Sequence, residues 1–457
     1  METRFSTTQL ADPALAFADN ILRRCVHCGL CTATCPTYML LGDERDSPRG
    51  LIILIRDMLE KGSKPTVEVR THIDRCLSCM ACMTTCPSSV DYMHLVDMAR
   101  IHIEKSTRRS QKEHVLRLML RKILPYPSRL RKVFTLAPLA QPFKWLFRGL
   151  GLPEVAAMLK LAALPRAKPK PSPGKTIFPA LGSERRARVI LLAGCAQSVL
   201  RPQINEAAIR LLTSQGVEVV IPEEAGCCGS LSHHQGQEEE ALAFARNNID
   251  TWERVTETDP VDAIITTTSG CGTTMKDYGY MLAGEAAYAE RARNISALVM
   301  DITEFLTHKI SLGAPMGWSD IRVAYHAACS LEHAQCVCNE PRDLLRDSGF
   351  SVVEIPEGHT CCGSAGTYNV MQPVLADELR DRKLANIAAA NADVVASGNI
   401  GCIQQLTAPD ALPVVHTVEL LNWAYGGACP AELSHLSERI RVMRTEFGGR
   451  TLARVAE

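Results

Sequence analysis

The sequence has no run of 18 consecutive apolar residues, so none of its helices is expected to cross a bilayer. Its opening stretch, METRFSTTQLADPALAFADN, has no apolar segment long enough for a signal peptide, and Asp12 and Asp19 interrupt what there is. Export is therefore not expected, and a reducing cytoplasm, where thiolates stay free, is the expected setting. Also missing is a G-x-G-x-x-G turn at a strand-to-helix junction, the phosphate-binding fingerprint of flavin and nicotinamide domains. No nucleophile and base stand in a pattern that suggests covalent catalysis. If the chain takes part in a hydride-removing oxidation, the organic cofactor is expected on another polypeptide. Net charge is absent too, with 50 Lys and Arg against 50 Asp and Glu. The balance is uneven: residues 105–175 hold 17 basic and two acidic side chains, about +15, which leaves about −15 for the rest.

What the chain does have is cysteine: 19 in 457 residues, in tight groups rather than at the scattered spacings of a disulfide framework. CVHCGLCTATCP places Cys25, Cys28, Cys31 and Cys35 in C-x2-C-x2-C-x3-C-P order, and CLSCMACMTTCP repeats it with Cys76, Cys79, Cys82 and Cys86. This is the bacterial spacing for two [4Fe-4S] clusters, in which the fourth cysteine of each run ligates the other cluster. Cluster one is expected on Cys25, Cys28, Cys31 and Cys86, and cluster two on Cys76, Cys79, Cys82 and Cys35. Zinc could also use C-x2-C pairs but has no need of a third cysteine at the same step, twice, before a proline. Between the runs, GDERDSPRGLIILIRDMLEKG predicts a helix with Asp46 or Ser47 as N-cap, Pro48 in its first turn and Gly62 near its end. An α-helical ferredoxin domain is therefore expected over residues 1–104.

Residues 105–185 read as a basic helical segment ending in a Pro-rich linker, PRAKPKPSPGK. The remainder repeats. RVILLAGC ends at Cys195 and RVAYHAAC at Cys329; 32 residues after each comes a CCGS, at Cys227 and Cys228 and at Cys361 and Cys362. Each half closes on an apolar segment with one further cysteine, Cys271 or Cys402. Short β-rich runs alternate with helical stretches, which predicts two α/β units with parallel sheets, over 186–310 and 311–430, before a C-terminal helix or tail at 431–457. The overall class is thus α-helical ferredoxin plus α/β repeats. Cysteines at strand ends could gather into one site per half, because open α/β sheets bind ligands there.

The segments AGCCGS, TCCGSAGTY, GCAQ and SGCG resemble the cysteine-rich CCG domains of heterodisulfide reductases and of iron-sulfur subunits of flavin-linked dehydrogenases. The resemblance implies that Cys195, Cys227, Cys228 and Cys271, and Cys329, Cys361, Cys362 and Cys402, hold one or two further iron-sulfur clusters. Thr274 and Gln405 stand where the fuller pattern closes with C-x2-C. Each repeat thus keeps four thiolates, which suits an electron-transfer site better than a disulfide-cleaving one. In order, CVHCGLCTATCPTYMLLGDERDSPRG, DRCLSCMACMTTCPSSV, EAGCCG, ARNNID, SGCG and CCGSAGTY resemble the iron-sulfur subunits of bacterial glycolate oxidase over nearly the whole chain. That family usually has a cysteine where Ala327 stands and a glycine where Ser89 stands. The resemblance implies an electron-transfer subunit, with FAD on partner dehydrogenase subunits, glycolate oxidised to glyoxylate, and a membrane quinone or other acceptor. It also implies a soluble or peripheral subunit, expected on the inner face of the cytoplasmic membrane. Iron-sulfur subunits of lactate or glycerol-3-phosphate dehydrogenases, and a heterodisulfide reductase-like subunit, are the alternatives.

Other residues carry weaker signals. His27 could hydrogen-bond a cluster sulfur, and His233, His234 and His326 could ligate or relay protons, although ordinary hydrogen bonding is the commoner role. Cys336, Cys338 and Cys429 match neither cysteine set and read as surface or packing residues. Phe143, Trp145 and Phe147, interspersed with Lys144 and Arg148, suit either a bilayer interface or docking on protein. Nucleic acid is not an expected partner, because no stacking or groove-reading motif accompanies the charge.

Overall fold

The computed structural model describes residues 1–140, 154, 158, 176–182, 184–316, 321–434 and 436. The segment with Phe143, Trp145 and Phe147 lies outside them, as does the tail beyond residue 436. Among the described residues, no helix is long and apolar enough to cross a membrane.

The first hundred residues are helical because each apolar run is bracketed by capping signals. In the inter-run helix, Pro48–Lys61, the Ser47 hydroxyl accepts the Gly50 N–H at 3.0 Å, and Gly62 ends it in left-handed backbone. Its face of Leu51, Ile52, Ile55, Met58 and Leu59 meets Ala18, Ile21 and Leu22 of the helix Pro13–Arg24 and Leu95, Val96, Ala99 and Ile103 of the helix Tyr92–Ser106. That core supports both cysteine runs from behind.

The repeats form two open sheets. In the first, β1 (Ile177–Phe178), β2 (Ala187–Leu191), β3 (Val217–Val220), β4 (Ala263–Thr266) and β5 (Val299–Asp301) lie in the order β1-β3-β2-β4-β5. In the second, β6 (Arg322–Tyr325), β7 (Ser351–Val353), β8 (Val394–Ser397) and β9 (Val414–His416) lie in the order β7-β6-β8-β9. Apart from β1, which pairs antiparallel with β3, every pairing is parallel. The two sheets therefore share one topology, with a switch point beside β2 and β6. Two features differ from the sequence reading. The end of the linker segment supplies the edge strand β1, and a further short strand, β5 or β9, follows the segment bearing Cys271 or Cys402. These last are only three residues long, and each runs directly into a helix capped by a reciprocal box, Asp301 with Glu304 and His416 with Glu419.

The strand alternation of period two divides the first sheet cleanly. Val189, Leu191, Val219 and Ile265 face a core continuous with Val323, Tyr325, Val394 and Ala396 of the second sheet, while Ile190, Val220 and Ile264 face a separate core with Trp252 and Tyr278. Leu211 and Leu212, with Leu420, Leu421 and Trp423, complete the shared core.

The helical domain touches both repeats. His94 Nε2 meets Asp277 Oδ1 at 2.9 Å, and buried Asp97 accepts His233 Nε2 at 3.2 Å and His234 Nδ1 at 3.3 Å. Part of the basic segment docks on its own chain: Arg109 and Arg117 pair with Asp74, and Arg121 and Lys122 with Glu240.

Candidate metal centres

The two cysteine runs adopt one loop. Cys25 and Cys76 each end a helix, their N–H groups donating to Leu22 and Ile73 carbonyls at 3.1 and 3.2 Å. Both loops then enter left-handed backbone twice, at His27 (φ 57°) and Gly29 (83°) and at Ser78 (51°) and Met80 (60°). These reversals curl each loop around a cavity. Cys25, Cys28, Cys31, Cys82 and Cys86 line the first, and Cys35, Cys76, Cys79 and Cys82 the second, with Tyr92 on the wall of both. Cys35 thus sits with the second run, and Cys86 with the first. Pro36 opens the helix Pro36–Leu41 directly after Cys35, so the chain leaves the cavity at once.

Burial pushes the Cys79 and Cys82 thiols well above the ordinary thiol range and Cys31 up to about 11. Neighbouring thiols add to each effect. Such crowded soft donors suit iron-sulfur clusters, since bound metal replaces the protons that crowding would otherwise impose. Hydrogen bonds reach the sulfurs from outside: Tyr92 Oη to Cys76 at 3.7 Å, the Ser78 N–H to Cys76 at 3.5 Å, and Thr37 Oγ1 beside Cys35 at 3.2 Å. Contacts of this kind tune cluster potential.

In the repeats every candidate cysteine stands past the carboxyl end of a strand. Cys195 follows β2, Cys227 and Cys228 follow β3, and Cys271 lies in the helix Ser269–Lys276 after β4. Cys195 and Cys227 sulfurs are 3.6 Å apart, and Cys228 interacts with Cys227 and Cys271, so the four form one group. The second repeat matches: Cys329 and Cys361 sulfurs are 4.0 Å apart, Cys362 interacts with Cys361 and Cys402, and Cys402 lies in the helix Ile400–Leu406. Hydrogen bonding from Cys362 and then from His326, working against burial, brings Cys402 down to about 6.

The glycine of CCG has a definite role. Gly229 (φ 85°) and Gly363 (φ 84°) turn left-handed, and their N–H groups donate to Cys227 and Cys361 sulfurs at 3.5 and 3.4 Å. A Cβ there would come within 3.0 Å of the Ala241 carbonyl oxygen or 2.6 Å of that of Ala376. Only glycine allows the loop this close to the long helix behind it.

The remaining candidates fall elsewhere. His233 and His234 pair with Asp97 rather than with any thiol. Cys336 is exposed, and Cys338 and Cys429 donate to the Glu332 and Pro430 carbonyls. Spacing alone missed the groups that brace the CCG loops. Buried Asn248, within ARNNID, accepts the Gly226 N–H and donates to the Cys227 carbonyl at 2.8 and 2.9 Å. Tyr278 Oη donates to the Cys228 carbonyl at 2.8 Å. In the second repeat buried Lys383 donates to the Glu357 carbonyl at 2.8 Å, ahead of Cys361. A buried polar residue inside an amphipathic helix was the available signal.

Family models agree with this division. One described as a 4Fe-4S dicluster domain matches residues 21–90, and one described as a cysteine-rich domain matches residues 189–276 and 323–407. The glycolate oxidase iron-sulfur subunit of Escherichia coli (strain K12) is 40% identical over 425 residues, 93% of this chain and 99% of the relative. The chain belongs to the family of glycolate oxidase iron-sulfur subunits. Within it, the probable glycolate oxidase iron-sulfur subunit of Bacillus subtilis (strain 168) is 30% identical over 402 residues, 84% of this chain and 88% of the relative. Lactate utilization protein A of Bacillus licheniformis is 24% identical over 241 residues, which is 51% of this chain and 99% of that relative. The match to glycolate oxidase subunits thus spans both the dicluster domain and the repeats.

Proposed function

We propose that this chain is the electron-transfer subunit of a multi-subunit complex that oxidises glycolate to glyoxylate. Whole-length kinship to glycolate oxidase iron-sulfur subunits supports the substrate, and the two adjoining thiol-lined cavities carry the role. Oxidising glycolate releases two electrons and two protons. A FAD on a partner subunit takes up both, and a membrane quinone or other acceptor finally receives them.

Each iron-sulfur cluster, when bound, accepts and releases one electron. In this reading Cys25, Cys28, Cys31 and Cys86 hold one, and Cys76, Cys79, Cys82 and Cys35 the other. Cys195, Cys227, Cys228 and Cys271, and Cys329, Cys361, Cys362 and Cys402, are the candidate ligands of further clusters. Residues 105–175, whose described part docks partly on the first repeat, would hold the subunit against the inner membrane face.

Co-purification of the chain with its flavoprotein partners, followed by reduction with glycolate, lactate or glycerol 3-phosphate, tests the substrate. Bleaching of the iron-sulfur absorbance by glycolate alone supports the reading; bleaching by lactate alone overturns it.

A further inference from the structure

The two cysteine-rich sites share their thiol geometry but differ at one position. His326 precedes Cys329 by three residues, just past the end of β6, and is 2% exposed. No oxygen or nitrogen partner meets either ring nitrogen, and the ring's side-chain hydrogen bonding is with the Cys402 sulfur. A ring nitrogen of His326, Cys362 Sγ and Cys402 Sγ nevertheless all lie within 4.8 Å of one another. In the first repeat the corresponding residue is Leu192, 4% exposed, which packs in the apolar core with Cys227 and Cys228.

A buried imidazole whose hydrogen bonding reaches one thiol still has a second ring nitrogen to satisfy, and leaving it unmet is unfavourable. The cluster of Asp97, His233 and His234 shows the contrast. His233 and His234 pair directly with the Asp97 carboxylate, so their demand is met within the protein. His326 is instead grouped with the sulfurs of Cys362 and Cys402. Gln405, three residues after Cys402, adds no donor, because its amide bonds to the Ala376 carbonyl at 3.1 Å and to Asn369 at 3.0 Å.

We propose that His326 is a metal ligand of the second cysteine-rich site, joining Cys329, Cys361, Cys362 and Cys402 in a mixed nitrogen and sulfur donor set. The first repeat then presents four sulfurs, and the second four sulfurs and one neutral nitrogen. Imidazole coordinates iron readily and adds no charge, so the two sites are chemically unequal despite their common fold. The proposal rests on the reading that the repeats bind iron.

The test uses full-length protein isolated anaerobically from cells supplied with 15N-histidine, with pulsed electron paramagnetic resonance of the reduced protein and iron analysis. The expected result is a histidine nitrogen coupling on a cluster signal, lost in both His326→Leu, which installs the residue of the first repeat, and His326→Asn, which keeps a polar group of smaller size. Absence of that coupling from the wild-type protein, or its persistence in a folded His326 variant, overturns the assignment. Cys362→Ser separates the underlying reading. Loss of iron in that variant without any histidine coupling in the wild type sinks only the ligand role; unchanged iron sinks the metal site itself.

Discussion

The two ferredoxin-type loops have the same backbone and opposite surroundings. Val26 is 67% exposed and Leu30 54%, and Cys28 between them is open to solvent. At the matching places in the second loop, Leu77 is 6% exposed and Ala81 1%, and Met80, which takes the left-handed place of Gly29, is 3%. Leu77 and Cys79 pack with Cys361, Tyr368 and Leu379 of the second repeat. Ligand spacing decides that each loop can wrap a cluster; the neighbouring surface decides whether that cluster faces outward or inward. The first loop is thus open to solvent, and the second faces the chain's own cysteine-rich site.

The largest expected effect comes from the thiols themselves. Cys28→Ser and Cys79→Ser should each lower quinone reduction by the assembled complex at least ~100-fold, since even outer partners of metal ligands are worth about 10–100-fold, while dye reduction at the flavin survives. Undiminished quinone reduction in either variant would remove its loop from the electron path. The two loops should part company in stability. Leu77→Ala should cost about 2–4 kcal/mol in denaturant unfolding, whereas Val26→Ala should stay within about 0.5 kcal/mol; equal costs would contradict the inward and outward assignment.

The second loop is also anchored through the helix that follows it. Burial works to lower the His94 pKa, but hydrogen bonds to Asp277 and Asp91 outweigh it and raise the imidazole to about 10. Its stabilising contribution is therefore complete below the unfolded value near 6.5 and is lost as pH rises through about 10. Thermal melts from pH 7 to 11 should show a steeper alkaline decline for the wild type than for His94→Gln; parallel curves would remove His94 from the anchor. The smallest effect concerns how the runs end. After Cys35 the chain continues as a helix, but after Cys86 exposed Ser89 takes φ 48°, where glycine is favoured. Ser89→Gly should raise stability by up to about 1 kcal/mol, read as a higher melting temperature, and a lower one would show that the serine side chain is needed there.

Much of this was legible because it is local. The cysteine steps and the prolines after Cys35 and Cys86 mark the loops, and Ser47, Pro48 and Gly62 mark the ends of the inter-run helix, all within a few residues. The β and α alternation around CCG was equally plain. The three-residue strands β5 and β9 were not, since a short apolar run carries too little periodicity to separate strand from helix. Nor could spacing reveal that Leu77 is covered while Val26 is open, because the cover comes from residues about 300 positions away. The isolation of His326 from oxygen and nitrogen partners is likewise a tertiary fact, although the histidine itself was visible beside Cys329.

The core common to both sheets has a consequence for how the repeats came to coexist. The helix Pro202–Ser214 of one copy packs on the helix Thr417–Ala424 of the other, and the core behind both sheets is continuous, so neither copy is finished without its twin. Expressed alone, either would present this apolar face to water and invite self-association. Heating should melt both copies in one cooperative transition, and a lesion in either should be felt in both. Two copies that share one core in this way leave the two thiol sites free to differ in chemistry while tying the two scaffolds together.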